Sequence, residues 1–205
     1  MFAKSLGRAS RKALRSVSDL TRTKLEKALE KQIKIQQNQK PQEVHPFIAK
    51  WGYELREYPN NIELQLVKDE DDKEVYIVFH SRTPLTSEDY SETMPKHSAF
   101  QVRVKQKNSN KYTEFECYTI ESEVHIINVA YSEEEPDLKK VIEKTEYRGP
   151  EFTTLEKELQ YCLLDYLREM GVNEDLGIFV ESYSTSKDQK LYLDWLHSIK
   201  NFVNL

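Results

Sequence analysis

Cysteine is nearly absent from this sequence: Cys117 and Cys162 are the only two, 45 positions apart, with no CxxC pair. That excludes a disulfide framework and a cysteine-based zinc site, and both residues read as core thiols of a reducing compartment. Glycine is equally sparse, at five in 205 residues. Gly7, Gly52, Gly149, Gly171 and Gly177 form no phosphate-cradling loop and no GxSxG elbow. The histidines His45, His80, His97, His125 and His197 are scattered, without an HxH or HExxH pair at metal-ligand spacing. No window approaches the roughly 18 consecutive apolar residues of a membrane-spanning helix, so integral membrane association is not expected. What remains, 38% apolar with 11% aromatic, is enough for one core and suits one domain with appendages.

Acidic residues are missing from one place. Residues 1–18 hold Lys4, Arg8, Arg11, Lys12 and Arg15 and no carboxylate, interleaved with Phe2, Leu6, Leu14, Val17 and four serines. An Arg-rich, Ser-rich, acid-free amphipathic start is the pattern of a mitochondrial targeting segment, with a cleavage point anywhere up to about residue 40. The competing reading is a plain basic arm. The whole chain carries a formal charge of −5; without those five basic residues, 25 cations face 35 carboxylates, a balance of −10. The acids are densest at Asp69, Glu70, Asp71 and Asp72 and at Glu133, Glu134 and Glu135. Such runs have the oxygen chemistry for calcium, but the first lacks the glycine and distal glutamate of an EF-hand loop. They read as solvated acidic turns able to attract basic partners, and no metal or other cofactor is expected.

Residues 19–37 contain no Gly or Pro, and Leu25, Ala28, Leu29 and Ile33 follow helical steps. A linker with two prolines follows at 37–47. Strands are expected over about 61–150, where Ile62, Leu64 and Leu66, then Phe100, Val102 and Val104, alternate with polar residues. "VYIVF" at 75–79 and "VHIINVAY" at 124–131 are apolar on both faces and suit central strands, while 112–119 supplies another. Connections as short as "KDEDDK" cannot make parallel crossovers, so the sheet is antiparallel. A helix over 154–170 follows, with Thr153 and Glu156 as a capping box and Leu155, Leu159, Cys162, Leu163, Tyr166, Leu167 and Met170 on its core face. A last helix spans 173–203, capped by Asn173, with a possible break near 184–186. This order gives an α+β layout. Tyr192, Trp195, Leu196, Ile199, Phe202 and Val203 share one face of the terminal helix, and helix 19–37, through Leu25, Leu29 and Ile33, is the element left to cover it.

"YRGPEF" at 147–152, "LLDYLREMGVNEDLGIFV" at 163–180 and "KDQKLYLDWLHSIKNFV" at 187–203 resemble the C-terminal signature of the mitochondrial acidic matrix protein family, also called the mitochondrial glycoprotein family. Its animal member is named for binding the globular heads of a complement subcomponent. The resemblance rests on Tyr147, Gly149, Pro150 and Phe152, on Tyr166, Leu167 and Gly171, and on Tyr192, Trp195, Leu196, Lys200 and Phe202; His197 and Ser198 depart from it. It implies a strongly twisted antiparallel sheet of about seven strands, with N- and C-terminal helices paired as a coiled coil on one face. It further implies a ring-shaped homotrimer; at −10 per subunit, three copies carry about −30, a field that attracts basic proteins and repels free nucleic acid. Residues 19–205 then form a single domain.

Two function classes follow. One is a non-catalytic acidic adaptor or chaperone of the mitochondrial matrix that binds basic mitochondrial proteins, ribosomal or RNA-binding, and supports translation, ribosome assembly and oxidative phosphorylation. The other is an enzyme with an unrecognised site, or an accessory factor in mitochondrial RNA processing. The charge balance and the resemblance agree on the first.

Overall fold

A computed structural model describes residues 3–39, 46–82, 98–109, 111–133 and 147–204, with backbone alone for 3–19. Two compact units are distinguished, Gln42–Asp188 and the pair Met1–Pro41 with Gln189–Leu205.

The larger unit is built on a six-stranded antiparallel meander: β1 (Glu54–Glu57), β2 (Glu63–Asp69), β3 (Lys73–His80), β4 (Ala99–Gln106), β5 (Tyr112–Ile120) and β6 (Glu123–Ser132), in sequential spatial order. The alternation in the sequence produces this sheet directly. On β3 the buried positions are Val75, Ile77 and Phe79, and they lie opposite Val104, Val102 and Phe100 of β4. Val102 and Phe100 then face Phe115 and Cys117 of β5. Such cross-strand apolar rows are the unit of sheet stabilisation. The short helix α2 (Phe47–Trp51), α3 (Lys157–Glu169) and the first part of α4 (Glu174–Val203) supply Phe47, Leu167, Met170, Leu176, Phe179 and Val180 to the same core. Phe179 sits at its aromatic centre, 5.6 Å from Phe47, 6.2 Å from Phe79 edge-on and 5.3 Å from Tyr183 between ring centroids.

Several expectations are corrected. Six strands are found among the described residues where about seven were implied. Beyond β6 the described residues make an isolated bridge, Asn128 to Glu151. Pro150 has no amide to donate, and Gly149, at φ +83°, lies so close to the sheet that a Cβ would stand 2.1 Å from the Val129 carbonyl oxygen. The strand β6, expected to be central from its apolar run, is an outer strand of the order, and Ile127 and Tyr131 on it are exposed. The strand β1 and helix α2 were not anticipated; both are shorter than the windows in which periodicity is legible.

The capping box at Thr153 and Glu156 does not form. Residues Phe152–Thr154 make a 3-10 turn, α3 starts at Lys157 rather than 154, and Glu156 makes no side-chain cap. The Gln160 amide instead donates to the carbonyls of Thr153 and Leu155. Cys162 is exposed and Leu159 is largely so, because the face that packs inward runs through Gln160, Leu163, Leu164 and Leu167. Asn173 does cap α4, its side chain accepting the Asp175 amide at 3.0 Å. No break occurs at 184–186. Ser182 and Thr185 return their hydroxyls to the carbonyls of Phe179 and Glu181, and Ser184 donates to the His80 carbonyl of the sheet.

The hairpin turn between β5 and β6 is fixed by α4. Glu121 and Ser122 both hold positive φ, 51° and 67°, as a two-residue hairpin loop of this hand requires. Neither is glycine, and compensation comes from the Glu181 carboxylate, which accepts the Ser122 amide and hydroxyl and the Thr119 hydroxyl. Gly177 permits the approach, since a Cβ there would lie 2.1 Å from the Ser122 carbonyl oxygen. Further along α4, Lys187, 6% exposed, donates to Glu57, which also accepts the Tyr183 hydroxyl.

In the smaller unit, α1 (Ala3–Gln37) is continuous across the boundary at 18 and 19 that the sequence suggested. Leu29, Ile33 and Leu196 are buried together, joined by Leu193, Ile199 and Val203, and Lys200 bridges Glu30 at 2.9 Å.

Candidate functional site

The acidic turn between β2 and β3 is largely neutralised by its neighbours. Glu70 is gripped by Lys68 at 2.8 Å and Lys73 at 3.3 Å. Partial burial works to raise its carboxyl, but the two ammonium groups outweigh that and hold it below the usual range. Asp69 pairs with Lys107 at 2.5 Å, and the Lys107 amide also donates to the Asp72 carbonyl. Three lysines therefore face four carboxylates. Of these four, Asp71 and Asp72 are exposed and in no ion pair among the described residues. Of the second cluster, Glu133 is exposed and accepts the Tyr131 hydroxyl, while Glu134 and Glu135 lie outside the described residues.

A stronger acidic surface lies elsewhere. Residues 151–175 hold seven carboxylates and two cations. Glu158, Asp165 and Glu169 are exposed on one side of α3, together with Tyr161 and Cys162, at helical spacings of three, four and seven. Within this stretch Arg168 pairs with Asp165 at 2.8 Å, and Asp175 is engaged by Lys50 at 2.5 Å and by the Trp51 indole. Sequence reading missed this surface because it sought consecutive acids, and a helix assembles a face from residues spread along it.

The face of the sheet opposite the core carries a balanced network. Arg103 bridges Glu114 at 2.8 Å, and Arg148 joins both Glu114 and Glu116, the latter at 3.1 Å. Asn128 donates to Glu116 at 2.8 Å, so the segment bearing Arg148 is stitched to β5 and β6. This explains part of the 147–152 signature: Arg148 and Gly149 seat the returning chain, Phe152 enters the core, and Tyr147 stays 82% exposed.

The smaller unit presents an apolar flank. Of the residues expected to pair the terminal helices, Leu29, Ile33 and Leu196 are buried and Ile199 packs against them. Leu25, Tyr192, Trp195 and Phe202 do not join that seam; they are 44%, 36%, 54% and 74% exposed. The stripe of the last helix spans more arc than one partner helix covers, and the covered part is displaced toward Leu193 and Val203. Lys200 and Glu30 close one flank, which puts Leu25 and the three aromatics on the other by helical spacing. Tyr192 and Trp195 stack there at 5.9 Å.

Burial pushes the Cys117 thiol far above its ordinary range, which removes the thiolate a nucleophile needs. His125 stacks on Tyr118 at 5.1 Å on the outer strand β6. Among the described residues no group of three or more His, Cys, Asp or Glu could hold a metal ion, and no helix is long and apolar enough to cross a membrane.

Residues 23–203 match the family described as mitochondrial glycoprotein. The chain is 37% identical over 60 residues to the mitochondrial acidic protein mam33 of Schizosaccharomyces pombe, a stretch covering 29% of this chain and 22% of that relative. Among solved structures it resembles a Leishmania major protein of unknown function described as a sequence homologue of human p32, with TM-score 0.76 at 22% identity over 89% of this chain and 99% of the other. The Trypanosoma brucei p22 protein gives TM-score 0.74, also at 22% identity, over 90% and 99%. Those two likenesses establish a common fold, and the match over 23–203 establishes the lineage: the chain belongs to the mitochondrial glycoprotein family.

Proposed function

We propose that the protein is a non-catalytic acidic adaptor or chaperone of the mitochondrial matrix that recruits basic proteins and supports mitochondrial translation, ribosome assembly and oxidative phosphorylation. By its family it is a mitochondrial protein. The observation that carries the adaptor reading is the carboxylate excess of residues 151–175, of which Glu151, Glu156, Glu158, Asp165, Glu169 and Glu174 are exposed on and beside α3. Exposed charge of one sign steers encounter with an oppositely charged partner. The import signal is assigned to the N-terminal ~18 to 40 residues, part of which is removed on entry.

The working form is a homotrimer, supported by the apolar flank of Leu25, Tyr192, Trp195 and Phe202, a surface of the kind that marks association. A pull-down from matrix extract tests the adaptor reading. Basic clients should be retained at low salt and released as the Debye length falls from about 10 Å at 0.1 M to about 3 Å at 1 M. The triple variant Glu158→Gln, Asp165→Asn, Glu169→Gln should retain them severalfold less well at low salt, with its fold unchanged. Clients held equally well at both salts, and equally by the variant, would leave the adaptor reading without support.

A further inference from the structure

The helix α1 carries a second charged surface of opposite sign. Lys24, Lys27, Lys31 and Lys34 are all exposed and none is in an ion pair among the described residues. At 100° per residue they fall on one side of the helix, turned well away from the side of Leu29 and Ile33, over a length of about 15 Å. Glu30 borders that side, and its carboxylate is engaged by Lys200 from the last helix. Leu20 and Ile35 fall on the same side, near either end of the row, and are 58% and 45% exposed. Lys27, Glu30, Lys31, Lys34, Ile35 and Asn38 line an open groove of about 340 Å³, so four basic or apolar side chains there accompany one carboxylate that Lys200 already engages.

We infer that this lysine row is a docking surface for the headgroups of an anionic phospholipid bilayer, to which the protein binds peripherally. Lysine suits such a surface, because its stem lies along apolar material while its ammonium reaches phosphate. The flanking Leu20 and Ile35 give the row an apolar contribution that a phosphate backbone would not use. The row has neither arginine nor an aromatic side chain, the residues on which single-stranded nucleic acid is stacked. The negative charge of the rest of the chain does not cancel the attraction, since screening confines each field to about 8 Å at physiological salt.

The test is flotation of the full chain with vesicles of phosphatidylcholine alone or with about one third cardiolipin. Binding should need the anionic lipid and fall with salt. Each lysine near such a surface contributes about fivefold, so the variant Lys24→Gln, Lys27→Gln, Lys31→Gln, Lys34→Gln should bind a few hundredfold more weakly. Leu20→Ser with Ile35→Ser should bind severalfold more weakly with every lysine kept. The five basic residues of 1–18 are neutralised in a parallel variant. If that variant alone loses binding, the lysine row is not the docking surface. If the four-lysine variant instead loses an RNA oligonucleotide, or changes its oligomeric state, while vesicle binding persists, the partner is nucleic acid or a second copy and the inference is wrong. Circular dichroism of each variant separates loss of binding from loss of helix.

Discussion

Trp195 shows how much a side chain's meaning depends on what covers it. Read as a core residue, it would cost about 3 to 5 kcal/mol on truncation to alanine. At 54% exposure, stacked on Tyr192, it loses much less by truncation in a single copy. We expect Trp195→Ala to lower the stability of the isolated chain by only about 1 kcal/mol, a stacked aromatic pair being worth roughly 0.5 to 1.5 kcal/mol. The same substitution should convert a trimer to smaller species in light scattering. An unchanged mass would show that the flank is not an assembly surface. Tyr183 gives a second test at this scale. Burial first, and then the Glu57 carboxylate, push its phenol up from 10.0 to about 12. A pKa raised on folding means that the folded chain holds the proton longer. The stabilisation is complete below about pH 10 and is lost as pH rises toward 12. Thermal melts across that window should decline more steeply for the wild type than for Tyr183→Phe.

The junction of α4 with the β5–β6 hairpin is the element most sensitive to one added carbon. Gly177→Ala would drive a methyl group into the Ser122 carbonyl, a backbone atom that cannot step aside without moving the turn. Overpacking of this kind costs typically about 1 to 3 kcal/mol, and we expect at least that in chemical denaturation. A melt indistinguishable from wild type would mean that the helix and turn are not in the contact described. Glu181 acts through the same turn, because its carboxylate offsets two residues at positive φ.

At the scale of the whole molecule, the distribution of charge matters more than its sum. Neutralising Asp69, Glu70, Asp71 and Asp72 should weaken client association only slightly, since Lys68, Lys73 and Lys107 already balance most of that turn. The triple change on α3 should slow association several times more in stopped-flow mixing, with dissociation less affected, because exposed charge acts chiefly on encounter. Equal effects of the two variants would show that net charge alone governs binding.

Local pattern was enough for much of this. Alternation in Ile62, Leu64 and Leu66 and in Phe100, Val102 and Val104 specified antiparallel strands with one face inward, and Asn173 marked the start of the last helix. The 147–203 signature pointed to the family, and through it to a mitochondrial protein. The capping residue of α3, the outer position of β6 and the exposure of Cys162 were not legible, because each depends on a neighbour distant in the chain. The same holds for the candidate surfaces. The sequence by itself determined that the terminal helix has a broad apolar stripe and that the protein is rich in carboxylates. Only the tertiary structure decided that Leu196 is covered while Trp195 is not, and that Lys107 neutralises Asp69. Periodicity is a property of a few consecutive turns, whereas burial and ion pairing are set by atoms brought within a few ångströms by the fold.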